Sequence, residues 1–145
     1  MRHFDTSTTI HAPAERVWDI LTDTRAWADW DSGVVKVEGE PGEGNRVKIT
    51  SELNPKRAYP VKVTELDPPR RMAWRGGMPL GLFTGVRTYT LTPEGEGRTR
   101  FEMREEFTGP LLPLIWRSMP DMNDSFSQFA QGLKARAEAG GQGAP

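Results

Sequence analysis

Two alternating runs, Thr84 to Thr92 and Arg98 to Phe107, joined by Pro93-Glu94-Gly95-Glu96-Gly97, constrain this chain more than any other feature. Period-two alternation on both sides of a glycine-containing turn specifies an antiparallel hairpin. One face of the first run carries Arg87, Tyr89 and Leu91. One face of the second carries Thr99, Phe101, Met103, Glu105 and Phe107. With the turn centred near Gly95, opposing residue numbers sum to about 190. Tyr89 then faces Phe101, Arg87 faces Met103, and Glu105 sits diagonal to Arg87, within reach of a long side chain. From Pro110 the period changes to helical and holds to about Ala139. Pro113 and Pro120 predict a kinked or two-piece helix. Beyond them Met119, Asn123, Phe126, Ala130 and Leu133 share one face. Strands followed by one long helix read as an α+β domain whose sheet packs on that helix.

The remaining segments fit this frame. Phe4 to Ile10 reads as a strand, Ala14 to Leu21 as a helix begun by Pro13, and Arg25 to Ala28 as a shorter helix. Val17, Trp18 and Leu21 form the apolar stripe of the first helix. Strands are predicted at Val34 to Glu38, Arg46 to Leu53, Tyr59 to Leu66 and Arg71 to Gly76, with a forced turn at Asp67-Pro68-Pro69. The reading is one domain over residues 1–139 and a disordered tail over 140–145.

Composition excludes several chemistries. No cysteine is present, so disulfides, thiolate nucleophiles and zinc–cysteine sites are ruled out. The two histidines, His3 and His11, have no partner at metal-ligand spacing, so no metal site is expected. The glycine pairs Gly42/Gly44 and Gly95/Gly97 lie in charged turns with no P-loop lysine after them. No GxSxG elbow surrounds a serine. No catalytic residue and no cofactor can be assigned on this basis. A net charge of −1, from 19 basic and 20 acidic residues, gives no bulk attraction to nucleic acid or anionic membrane. No apolar run is long enough to span a bilayer, and the opening MRHFDTST lacks the core of a signal peptide. A cytoplasmic protein without stable membrane insertion, monomer or homodimer, is the expectation.

Three features remain for a site. Arg87 and Glu105 share the concave apolar face, where they form either a mutual salt bridge or a polar anchor that orients a ligand. Arg87 would oppose any upward shift of the Glu105 pKa, which argues against a poised base. Trp27 and Trp30 either plug one end of the sheet or, for Trp30, touch ligand. Two loops, Gly76 to Gly85 and Gly109 to Trp116, are apolar where loops are usually polar. Mutual burial and a greasy rim are the two main readings. A membrane-dipping tip is a third, with Arg75 and Arg87 as its flanking basic residues.

The blocks IHAPAERVWDILTD with Trp27 and Trp30, GEGNRVKI, KVTELDPPRRMAW and TYTLTPEGEGRTRFEMREEFTG, then a helix ending FAQGLKARAE, run in this order through nearly the whole chain. They resemble the START-like (SRPBCC) superfamily, and in order and spacing its polyketide cyclase/dehydrase-like branch of small bacterial proteins. The resemblance implies a helix-grip fold: a curved antiparallel sheet wrapped around a long C-terminal helix, with two short N-terminal helices and an internal cavity. It implies binding of a hydrophobic small molecule, such as a lipid or polyketide, by a carrier or sensor. On that fold Val47, Ile49, Trp74, Tyr89, Phe101 and Met103 would wall the cavity from the sheet. Met119, Met122 and Phe126 would wall it from the helix side, with Trp30 at its flank. Arg87, Glu105, Tyr89, Ser51 and Asn123 would supply its polar groups. Two alternatives stand beside this: a cyclase or dehydratase acting on a polyketide-like substrate, and a protein-interaction domain like the superfamily's chaperone-activating branch.

Overall fold

The computed structural model describes the backbone of residues 1–143 and the side chains of residues 1–139; the tail reading at 140–145 falls outside the residues described in full. A seven-stranded antiparallel sheet forms the body of the fold. Its strands are β1 (Arg2–Ile10), β2 (Val34–Glu38), β3 (Arg46–Ser51), β4 (Tyr59–Asp67), β5 (Arg71–Met78), β6 (Phe83–Pro93) and β7 (Thr99–Thr108). The spatial order β1-β7-β6-β5-β4-β3-β2 is a meander from β2 to β7, with the N-terminal strand added beside the last. Register shifts between Val34 and Lys36 and between Val63 and Glu65 bend the β2–β4 side. The sheet therefore curls into a half-barrel around a helix.

Among the described residues three α-helices accompany the sheet, α1 (Ala14–Thr22), α2 (Leu112–Trp116) and α3 (Asn123–Gly143), with 3-10 helices at Thr24–Asp29 and Pro79–Gly81. The helical stretch is thus broken between its two prolines, as their missing N–H groups require. Helix α3 buries Phe126, Phe129, Ala130, Leu133 and Ala137 against the concave sheet face. From the sheet, Val47, Val63, Met72, Trp74, Tyr89, Leu91, Phe101 and Met103 are each 8 % exposed or less. Burying side chains of this size contributes roughly 1.5–3 kcal/mol apiece, so this seam dominates stability.

The two halves of α3 are held differently. Its C-terminal half is held by polar contacts. Lys134 Nζ donates to the Thr9 carbonyl at 2.7 Å and to Glu138 at 2.6 Å. Glu138 also accepts the His11 N–H at 2.9 Å. Arg16 Nε of α1 donates to the Ala137 carbonyl at 2.8 Å. The N-terminal half is held chiefly by aromatic rings. At its middle Gly132 lets the helix approach the chain beside Asp31: a Cβ there would lie 2.0 Å from the Asp31 carbonyl oxygen.

The β6–β7 hairpin corrects one expected detail. Arg87 pairs directly with Glu105, Tyr89 with Met103 and Leu91 with Phe101. The connecting turn is centred on Glu96, with Pro93 facing Thr99 and the Glu94 N–H donating to the Arg98 carbonyl at 3.0 Å. Pairing therefore slips by two residues from the expectation. A slip of two keeps every side chain on its expected face.

Candidate functional site

The concave face holds an aromatic cluster centred on Trp27, Trp74, Tyr89 and Phe129. Trp27 and Trp74 stack at 5.4 Å with 15° between planes, and Trp74 meets Tyr89 edge-on at 5.4 Å. Phe129 of α3 packs on Trp27 at 4.9 Å and on Trp30 at 5.3 Å. Trp27 anchors itself by donating Nε1–H to the Leu21 carbonyl at 3.1 Å, which ties the 3-10 helix to the end of α1.

The other polar tips of this cluster are not satisfied. Trp30 Nε1, Trp74 Nε1 and the Tyr89 hydroxyl are buried and find no acceptor for their protons; the one group that approaches the Tyr89 oxygen, the Arg87 guanidinium, is itself a donor. An unpaired buried polar group costs roughly 1–3 kcal/mol, so three on one interior is a departure from ordinary cores. Burial pushes the Tyr89 hydroxyl up to about 12, against the opposing pull of Arg87. Through the neutral range it is a protonated donor.

Arg87 and Glu105 border this cluster. Arg87 Nη2 and Nε both donate to Glu105 Oε1, at 2.7 and 3.1 Å. The two side chains are 22 % and 17 % exposed. The guanidinium lies 4.9 Å above the Phe126 ring. Burial works to lower the Arg87 pKa; the Glu105 carboxylate outweighs it, and the net direction is upward, so the cation persists. Gly85 makes room for the carboxylate, since a Cβ there would lie 2.8 Å from Glu105 Oε2.

The structure gathers most of the sequence-predicted residues onto one interior. Trp74, Tyr89, Phe101, Met103 and Phe126 are buried together, with Trp30, Ile49, Met119 and Met122 half-buried against them. Ser51 and Asn123 are not part of the cluster. The Ser51 hydroxyl is taken up by a local turn, accepting from the Leu53 N–H at 3.1 Å, and Asn123 is exposed at the start of α3. Sequence reasoning missed Phe129, which stands three residues after Phe126 on the same helical face, and that spacing was the available signal. It also placed Trp27 as an end plug, whereas Trp27 sits among the central rings.

The wall residues pack on one another in this structure. Two surface clefts, about 280 and 390 Å3, lie elsewhere, beside Thr24 and Glu40 and on the outer face beside Arg100. Among the described residues no group of three His, Asp or Glu side chains could hold a metal, and no helix is long and apolar enough to cross a membrane.

Comparison with known proteins agrees with this architecture. The chain superposes on the Zhui aromatase/cyclase of a Streptomyces species with a TM-score of 0.72, 20 % identity, and 94 % and 93 % of the two chains covered. A START superfamily protein from Mycobacterium smegmatis gives 0.69 at 14 % identity, covering 94 % and 97 %. A norcoclaurine synthase from Thalictrum gives 0.73 at 15 % identity, covering 97 % and 96 %. At these identities the likeness is one of fold. No curated protein matches the sequence significantly. The profile of one family, described as polyketide cyclase / dehydrase and lipid transport, matches residues 1–138. With nearly the whole chain matched and the sheet curled around α3, this protein belongs to that START-like family.

Proposed function

We propose that the protein binds one small, mostly apolar molecule bearing hydrogen-bond acceptors between the sheet and the N-terminal half of α3, as a carrier or sensor. The observation that supports this is the trio of buried, unpartnered donors at Trp30, Trp74 and Tyr89. A purely hydrocarbon guest would leave all three unsatisfied, so the guest carries carbonyl, ether or phenolic oxygens. Aromatic walls match a flat molecule, and Met103, Met119 and Met122 adjust to several outlines. Because the walls now touch, entry requires the α2–α3 segment to part from the sheet. Native mass spectrometry of gently purified protein tests the reading. A discrete added mass, lost on denaturation and reduced in Tyr89→Phe, is the expected result. A clean apo mass, with no uptake of oxygenated aromatic compounds in titration, overturns it.

A second reading draws on the charged pair. Arg87, Glu105 and Tyr89 place a fixed cation, a carboxylate and a neutral acid along one wall, which could steer an aldol-type ring closure in a reactive polyketone. Turnover that disappears in Arg87→Ala while binding survives would distinguish an enzyme from a carrier.

A further inference from the structure

One row on the outer face of the sheet breaks the charge pairing seen beside it. Arg46 of β3 lies opposite Lys62 of β4, and Lys62 lies opposite Arg75 of β5. Each stands next in sequence to a residue buried on the concave face, Val47, Val63 or Trp74, so all three cations face outward, and all are exposed. Like charges directly opposite on neighbouring strands destabilise a sheet. Other cations of this face hold carboxylates: Arg71 pairs with Glu65 at 3.0 Å, Arg104 with Glu106 at 3.0 Å and Arg100 with Glu102 at 2.7 Å. Among the described residues the three of the row make no ion pair. Acids flanking the row are already engaged. Glu38, opposite Lys48, is held by Lys36 at 3.5 Å, while Glu65 and Glu106 belong to Arg71 and Arg104. Glu43, in the β2–β3 turn, forms no ion pair with the row. Lys48, two residues beyond Arg46, adds a fourth exposed cation. Protection of a sheet edge does not account for these charges, because β3, β4 and β5 are interior strands.

Shape and spacing select the occupant. The row crosses the strands, so its charges recur at about 4.8 Å and span about 9.6 Å. Two residues along β4 and β5 stand Pro60 and Gly77 on one side and Thr64 and Ala73 on the other, so the cations rise between low flanks. An open ridge does not enclose a small molecule. Nucleic-acid sites draw on broader basic surfaces, with about six or more phosphate contacts, and here Glu65 and Glu106 stand at the margins. A helix carrying carboxylates at i, i+4 and i+7 repeats them at about 6 and 10.5 Å along its axis, close to the spacing of the row. An extended strand repeats them at about 6.8 Å and overshoots the third cation by about 4 Å. We infer that the outer face of β3–β5 docks an acidic helix of a partner protein, laid across the strands with its carboxylates on Arg46, Lys62 and Arg75. The guanidinium at each end of the row suits two-pronged contact with a carboxylate, which fixes the line of the helix. The inference rests on the exterior alone and does not depend on the interior site.

An NMR titration of the full chain tests it, with an alanine-rich helical peptide bearing glutamates at i, i+4 and i+7. A second peptide of the same composition, its glutamates spread around the helix, is the comparison. At low salt the first should shift backbone amides of β3–β5 and bind about fivefold or more tightly than the second. Lys62→Glu should weaken it by about tenfold or more, because attraction becomes repulsion at the centre of the row. The same variant should melt no lower than the parent, since a glutamate between two arginines replaces repulsion with attraction, so a folding defect cannot imitate the result. Arg100→Gln, which removes a cation already paired on β7, should leave binding unchanged. Absence of shifts on β3–β5 at millimolar peptide, or equal affinity for the two peptides, overturns the inference. So does tighter binding of a short single-stranded oligonucleotide of equal charge, which would assign the row to nucleic acid.

Discussion

Replacing Tyr89 with phenylalanine should raise stability and lower affinity together. The ring is fully buried, at 0 % exposure, and contacts Trp27, Trp74 and Phe129 at centroid distances of 5.4 to 6.2 Å. Phenylalanine keeps those contacts. What it removes is a buried hydroxyl whose proton has no acceptor, a burden of roughly 1–3 kcal/mol. Attraction between the hydroxyl dipole and the nearby Arg87 offsets part of this, leaving a net gain of about 1 kcal/mol. For a chain of this size the melting temperature should rise by about 3 °C. Urea unfolding with an unchanged slope is the assay, because a changed slope would mean an altered unfolded state. Ligand affinity should fall about tenfold, the equivalent of one hydrogen bond of about 1.4 kcal/mol. A loss of stability of about 1 kcal/mol or more would refute the reasoning, since the hydroxyl would then be satisfied in the free protein.

Arg87→Met or Glu105→Leu alone should each cost about 2–4 kcal/mol by stranding a largely buried charge, while the double variant should lie within about 1 kcal/mol of the parent; chemical denaturation of all four proteins completes the cycle. Gly132→Ala should lower stability by roughly 3 kcal/mol or more in thermal unfolding, because the new Cβ collides with the Asp31 backbone, which cannot swing aside. Burial raises the Glu138 pKa, but hydrogen bonds from Lys134 and the His11 N–H outweigh it, and the net direction is below its ordinary 4.5. Its folded pKa is therefore depressed, so its contribution is present above about 4.5 and is lost as pH falls through the folded value. Glu138→Gln should flatten the acid limb of the stability curve below about pH 5 and change little at pH 7.

Elements were legible wherever one residue type dominates its local physics. Each expected strand is present, β2 at its expected Val34 to Glu38 and the others with ends shifted by one or two residues. Proline marked the start of α1 and the break before α3. The β6–β7 register was not legible to the residue, because Gly95 and Gly97 both satisfy the turn and only the finished ladder selects Glu96 as its centre. Face assignment survived because it depends on parity alone. For the site, alternation carried Arg87, Tyr89 and Glu105 onto the interior, since burial follows the pleat. Unsatisfied donors were invisible beforehand. Whether Trp74 Nε1 finds an acceptor depends on neighbours contributed by the 3-10 helix and α3, far away in sequence. Ser51 and Asn123 failed as interior groups for a similar reason: each lies where its element ends, and strand or helix period no longer governs direction there.

The position of β1 has a consequence for synthesis. Thr6 lies opposite Met103, so the first strand made cannot pair until the last strand has been made. At about 5–20 residues per second the nascent chain holds that segment unpaired for roughly 5–20 s. During that interval β1 presents Phe4 and Ile10, both buried in the finished protein, without a neighbour. Such long-range closure gives high contact order and slow folding. Mutations that raise the apolarity of Thr6, Ser7 or Thr8 would therefore lower soluble yield more than they change the stability of the folded protein.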